Sequence, residues 1–91
     1  MKQSLRLNQN EIKIIKQTLN NYGDIYIFGS QTNLQKKGGD IDIFITQKIP
    51  FEEKLKLKIK LQEKLPKKID LIEHKNFNRD IEKEALKGIK I

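Results

Sequence analysis

Residues 25–46 read IYIFGSQTNLQKKGGDIDIFIT, two short apolar runs on either side of a glycine-containing, polar connection. The runs at 25–28 and 41–46 are rich in β-branched and aromatic residues and are bounded by turn formers, so both predict strands. Asp40 and Asp42 stand two residues apart at the head of the second run. Side chains alternate along a strand, so both carboxylates are expected on one face, with Ile41 and Ile43 pointing the other way into a core. Two anions this close repel, and a fold tolerates them best with a cation between them. Magnesium takes a couple of carboxylates together with phosphate oxygens and water, so the pair points to a site for a nucleotide with Mg²⁺.

Gly29-Ser30 supplies the other half of that expectation. Gly29 stands where the first strand must turn, and a residue without Cβ lets a ligand approach the backbone. Ser30 is placed to cap a short helix over residues 31–35, whose free amides beside a hydroxyl would cradle a phosphate. The nine residues between Ser30 and Asp40 suffice for one helical turn and a return loop through Lys36, Lys37, Gly38 and Gly39.

Gly29-Ser30, nine residues, then Asp40-Ile41-Asp42 resembles the signature of the polymerase-β-type nucleotidyltransferases. In size the chain is similar to the minimal nucleotidyltransferases, the MNT partners of HEPN–MNT toxin–antitoxin pairs. The resemblance runs from the first helix to the end of the chain. It implies an α+β fold, αβαβαβα, with a small mixed sheet of the nucleotidyltransferase palm type and helices packed on it. It also implies a third carboxylate on a later strand, which Asp70 in Lys68-Ile69-Asp70-Leu71-Ile72 fits. On this basis Asp40, Asp42 and Asp70 are the expected catalytic and metal-binding residues, holding two Mg²⁺ ions. Gly29 and Ser30 are then the nucleotide contacts. Two positions depart from the family pattern: Gln31 stands where an Arg usually follows the Gly-Ser pair, and Gly39 replaces the Ser that commonly precedes the first Asp. Lys36 and Lys37 are the candidates to take over phosphate contacts from that Arg.

The resemblance implies transfer of AMP from ATP to a hydroxyl of a partner protein, a tyrosine of a cognate HEPN toxin, in a type VII-like pair. Two other classes stay open. One is a non-catalytic antitoxin that neutralises its partner by forming a complex. The other is a nucleotidyltransferase acting on RNA or on a small molecule.

Ninety-one residues are expected to form one small domain over 1–91, with one modest core. Hydrophobic residues make up 36% and charged residues 34%, a polar balance that the periodic apolar segments outweigh in favour of folding. Without cysteine, disulfides and cysteine-based zinc sites are excluded. No apolar stretch nears the roughly 20 residues that cross a bilayer, and the N-terminus has no apolar signal core, so a cytoplasmic protein is expected. The net charge of +7 is nearly all lysine. It suits nucleotides, nucleic acid or an acidic protein, and equally a solvated lysine surface. No aromatic ladder accompanies the lysines, which weakens single-strand binding.

Along the chain, Asn8 and Glu11 have the spacing of a capping box. Ile12, Ile15 and Leu19 recur at helical spacing, with Ile14 and Tyr22 at the margins, and Gly23 stops the helix. Between Pro50 and Pro66, Leu55, Leu57, Ile59 and Leu61 alternate with polar residues as a strand would. The length and the flanking prolines favour a helix instead, on which Phe51, Leu55 and Ile59 form one stripe and Leu57, Leu61 and Leu65 another. One stripe would face the sheet and leave the second for a partner. Residues 67–73 predict a strand and His74 a structural or solvent-exposed residue. Asn76 or Asn78 would cap a last helix to about Lys87, with Ile81, Ala85 and Leu86 inward. Residues 89–91 are a candidate edge strand.

Overall fold

The computed structural model describes residues 7–29 and 40–91, with Asp40 described in its backbone alone. In chain order the elements are α1 (Gln9–Leu19), β1 (Ile25–Phe28), β2 (Asp40–Ile45), α2 (Phe51–Lys64), β3 (Lys68–Glu73), α3 (Asp80–Leu86) and β4 (Ile89–Lys90). The short helix expected over 31–35 lies outside the described residues. The strands form one mixed sheet in the order β3-β2-β1-β4. β1 runs antiparallel to β2 and to β4, whereas β2 and β3 are parallel and connected by α2.

The period-2 pattern divides the sheet into two unlike faces. Ile25 and Ile27 of β1, Ile41, Ile43 and Ile45 of β2, and Ile69 and Leu71 of β3 form the main core with α1 and α2. On the opposite face Phe28, Phe44 and Ala85 form a smaller cluster with Tyr26 and Ile72 against it, so α3 lies there, over β1 and β2. Gly88 makes that return possible, since a Cβ on it would meet the Ile27 carbonyl oxygen at 2.3 Å. β4 then reaches the edge of β1.

The helix ends follow their local chemistry. At α1, Asn8 Oδ1 accepts from the Glu11 amide at 2.8 Å and Glu11 Oε1 accepts from the Asn8 amide at 3.1 Å, the reciprocal bonds of a capping box. Ile15 and Leu19 are buried, and Ile12, Ile14 and Tyr22 flank them. The Tyr22 hydroxyl donates to Glu53 Oε2 at 2.6 Å, joining α1's end to α2; that bond, with burial, holds the phenol above its ordinary pKa. α2 is a helix, as its length and flanking prolines predict, with Pro50 at the cap position just ahead of the first turn. Leu57, Leu61 and Leu65 face the sheet, while Phe51, Leu55 and Ile59 lie on the solvent side. At the far end of α2, Gln62 donates to the Lys67 carbonyl at 2.7 Å and accepts from the Ile69 amide at 3.0 Å. It thereby covers backbone groups of β3, an edge strand.

The β3–α3 connection differs from the sequence-based expectation. α3 begins at Asp80, with Arg79 rather than Asn76 or Asn78 in the cap position. The Asn76 side chain instead accepts from the Asn78 amide inside the loop. Ile81 and Leu86 are 39% and 38% exposed, leaving Ala85 as the buried apolar residue of α3. The inward position between them belongs to Glu82, which is fully buried. Its carboxylate accepts from the Lys75 and Asn76 amides at 2.7 and 2.9 Å, from Arg79 Nη1 at 2.8 Å and from His74 Nδ1 at 2.6 Å. His74 also stacks on Phe77, with ring centroids 3.9 Å apart. The role of His74 is structural in this sense: it is one wall of a carboxylate cage that shapes the loop.

Two predictions follow from this packing. Leu61→Ala should cost about 2–5 kcal/mol by opening a core cavity, whereas Leu55→Ala should stay below about 1 kcal/mol; urea unfolding compares the two. Burial works against ionisation of Glu82, but the donors from Asn76, His74, Lys75 and Arg79 outweigh it and lower the pKa from 4.5 to about 2. A depressed folded-state pKa means the contribution is complete above pH 4.5 and is lost as pH falls towards 2. It amounts to about 3 kcal/mol. Glu82→Gln should be destabilised at neutral pH and show a flatter loss of stability between pH 4.5 and 2 than the parent protein.

Candidate active site

β2 and β3 are in register Asp40↔Lys68, Ile41↔Ile69, Asp42↔Asp70. Alternation therefore sends Ile41 and Ile69 into the main core and places Asp42 and Asp70 side by side on the other face, on strands about 4.8 Å apart. The two carboxylates, separated by 28 positions in sequence, are brought together by this register. Further along the same strands, Phe44 and Ile72 carry this face towards the cluster beneath α3. The acidic pair lies at the end of the sheet where β2 and β3 begin and β1 finishes. Asp42 is half-buried and Asp70 exposed, a gradient from a held inner carboxylate to an open outer one. Asp70 is in no ion pair among the described residues, and Lys67 instead reaches Glu11 at 3.8 Å.

Gly29 completes the inner side. Phe28 pairs with Asp42 across the antiparallel ladder, and the chain turns at Gly29 with φ +73°. A Cβ built on Gly29 would lie 2.1 Å from Asp42 Oδ2. The turn therefore requires glycine twice over: for its left-handed backbone, and because the Asp42 carboxylate occupies the space of a side chain. Gly29 is thus at the site, in direct apposition to one of the acids.

Ser30, Lys36 and Lys37, the other expected nucleotide contacts, lie outside the described residues, as does the Asp40 side chain. The backbone of Asp40 opens β2 opposite Lys68. Lys68 lies on the same face of β3 as Asp70, two residues from it, and the β2–β3 register sets it opposite Asp40, a cation at this end of the sheet. Glu82 is the residue the sequence reading missed, although its spacing of three from Ala85 puts it on the buried face of α3.

Among the described residues no group of three or more acidic or histidine side chains gathers as a metal cluster. Asp42 and Asp70 make a pair of hard oxygen donors on an open face. That donor set fits Mg²⁺, which takes few protein carboxylates and completes its octahedron with phosphate and water. No described helix is long and apolar enough to cross a membrane.

Gly29→Ala should destabilise the fold by about 1–3 kcal/mol through the left-handed backbone and the clash with Asp42. In an Asp42→Ala background the clash disappears, so the same substitution should cost measurably less. A double-mutant cycle in urea reads the difference; equal costs would mean that the backbone alone demands glycine.

No curated protein matches the chain. The family model described as Polymerase beta, Nucleotidyltransferase matches residues 10–91, a span that runs from the first turn of α1 through both acidic strands and the Gly29 turn to β4. The chain belongs to the polymerase-β-type nucleotidyltransferase family.

Proposed function

We propose that this nucleotidyltransferase-family chain moves AMP from ATP to a hydroxyl of a partner protein, a tyrosine of a cognate HEPN toxin, and so acts as the antitoxin of that pair. The observation that carries the chemistry is the pairing of Asp42 and Asp70 on one open face, with Gly29 against Asp42. The protein acceptor is what the resemblance to the minimal nucleotidyltransferases implies.

In the reaction the acceptor oxygen attacks the α-phosphorus of ATP. The bond from that phosphorus to the oxygen bridging the β-phosphate breaks, and pyrophosphate leaves with the electron pair. Asp40, Asp42 and Asp70 are the residues that would hold Mg²⁺, and the bound metal would neutralise charge on the triphosphate and leaving group. Asp42, confined against Gly29, provides a carboxylate of set position. Asp70, exposed at the outer side of the pair, takes the proton of the acceptor hydroxyl. The acceptor is then expected to approach from the β3 side, past Asp70. Lys68 offers positive charge on that face to phosphate oxygens, a task Lys36 and Lys37 would share in place of the Arg that Gln31 replaces. Such catalysis is alignment and charge compensation, which needs few residues.

The test is thermal unfolding of the parent protein and of Asp42→Asn with ATP, with Mg²⁺ and with both. A nucleotide at 100 times its dissociation constant adds about 2.7 kcal/mol to the folded state. ATP with Mg²⁺ should raise the midpoint of the parent protein and leave the variant unmoved. ATP labelled at the α-phosphate should then label the toxin with the parent protein and not with Asp42→Asn or Asp70→Asn. Toxin neutralised equally well by Asp42→Asn would overturn the catalytic reading in favour of neutralisation by binding. Label passing to RNA instead would overturn the protein acceptor.

A further inference from the structure

Among the described residues the outer stripe of α2 packs on no other element of the fold, its one contact being Lys54 Nζ of the same helix, 5.4 Å from the centre of the Phe51 ring. Phe51, Leu55 and Ile59 follow one another at i, i+4 and i+8 and are 64%, 41% and 57% exposed. They stand on the side of α2 turned away from Leu57 and Leu61, and hence on the opposite side of the sheet from Asp42 and Asp70. From these exposures the three side chains leave on the order of 300 Å² of contiguous surface, mostly apolar, the size of the largest patch on an ordinary monomer, which is often functional.

We propose that this stripe is a self-association surface, on which α2 of a second copy packs antiparallel across a two-fold axis at Leu55. The inference is independent of the nucleotidyltransferase reading. Three observations select a second copy. First, the i, i+4, i+8 row is a ridge of the type that interdigitates with its own kind on a facing helix, with axes 8–10 Å apart. An antiparallel two-fold sets Leu55 against Leu55 and Phe51 against Ile59 in both directions.

Second, the charges beside the stripe are self-complementary. Glu52 and Lys56 lie along one flank of the row, both exposed, and neither is in an ion pair among the described residues. A perpendicular two-fold keeps each flank on its own side and reverses the chain direction. Glu52 of one copy then lies about 3 Å along the axis from Lys56 of the other, and the pair is made twice. On the opposite flank Lys54 would face Lys58, but Lys54 is already neutralised by Glu73 at 3.3 Å.

Third, the acid pair lies on the other face of the sheet, so pairing through α2 leaves both candidate sites open. The stripe buries about 600 Å² in total, below the roughly 1,200 Å² of a standard stable interface. The dimer is therefore a weak, transient one.

Sedimentation equilibrium of the parent protein up to several millimolar, with Glu52→Lys, Lys56→Glu and the double charge reversal, tests this directly. Both substitution sites are exposed, and circular dichroism checks that each variant is folded. The parent protein should dimerise, each single reversal should weaken the dimer at least threefold, and the double reversal should restore it. Leu55→Cys places the only thiol of the molecule on the axis. Under mild oxidation it should give a disulfide-linked dimer far faster than Gln47→Cys, an exposed position off the stripe. A parent protein that stays monomeric throughout overturns the proposal and leaves the stripe to a different protein. Dimerisation that ignores both single reversals and Ile59→Lys also overturns it, by placing the contact elsewhere.

Discussion

The pairing of β2 with β3 in the register that sets Asp42 beside Asp70 is the constraint on which the rest of the molecule turns. Side chains alternate with a period of two, so a slip of β3 by one residue against β2 would send Asp70 into the main core and expel Ile69 and Leu71. Ile41, Ile43 and Ile69 are completely buried, and the free energy of burying them opposes any such slip. Hydrophobic burial on one face thus determines where the charges stand on the other. The acids need no attractive interaction with each other to be adjacent; the core beneath them imposes it.

That imposed proximity has an electrostatic cost, and the surrounding structure limits it in two ways. The pair lies where β2 and β3 begin, beyond the part of the sheet that α3 covers, so Asp70 stays in water. Gly29 lets the inner carboxylate sit close against a backbone turn without a competing side chain. A divalent cation bound with a triphosphate would remove the remaining repulsion. This follows from the chemistry of the donors and is consistent with the family to which the chain belongs.

Glu82 shows the opposite treatment of a carboxylate. It is fully buried, yet two backbone amides, a guanidinium and an imidazole donate to it, so its charge is retained and its pKa falls. It organises the loop that turns α3 back over Phe28 and Phe44. Asp70 is exposed and in no ion pair among the described residues, and so remains available to a ligand. The contrast separates a carboxylate that holds the fold from one that the fold leaves exposed.

Much of this was legible in the amino-acid sequence. The β-branched runs and their alternation determined β1, β2 and β3 and the faces of Ile41, Ile43 and Asp42. Asn8 and Glu11 determined where α1 starts, and the length between Pro50 and Pro66 determined α2, on which the apolar residues then fall into two stripes. These are local properties, set by the geometry of one element and its capping groups. Tertiary structure alone decided which α2 stripe is buried and that Asp42 faces Asp70 with Lys68 nearby. It also decided that Glu82, rather than Ile81 or Leu86, fills the inner face of α3. Each of those depends on contacts between residues far apart in the chain or on a loop folded around a charge. A periodic pattern specifies that a face exists, and only the packed neighbour specifies what that face meets.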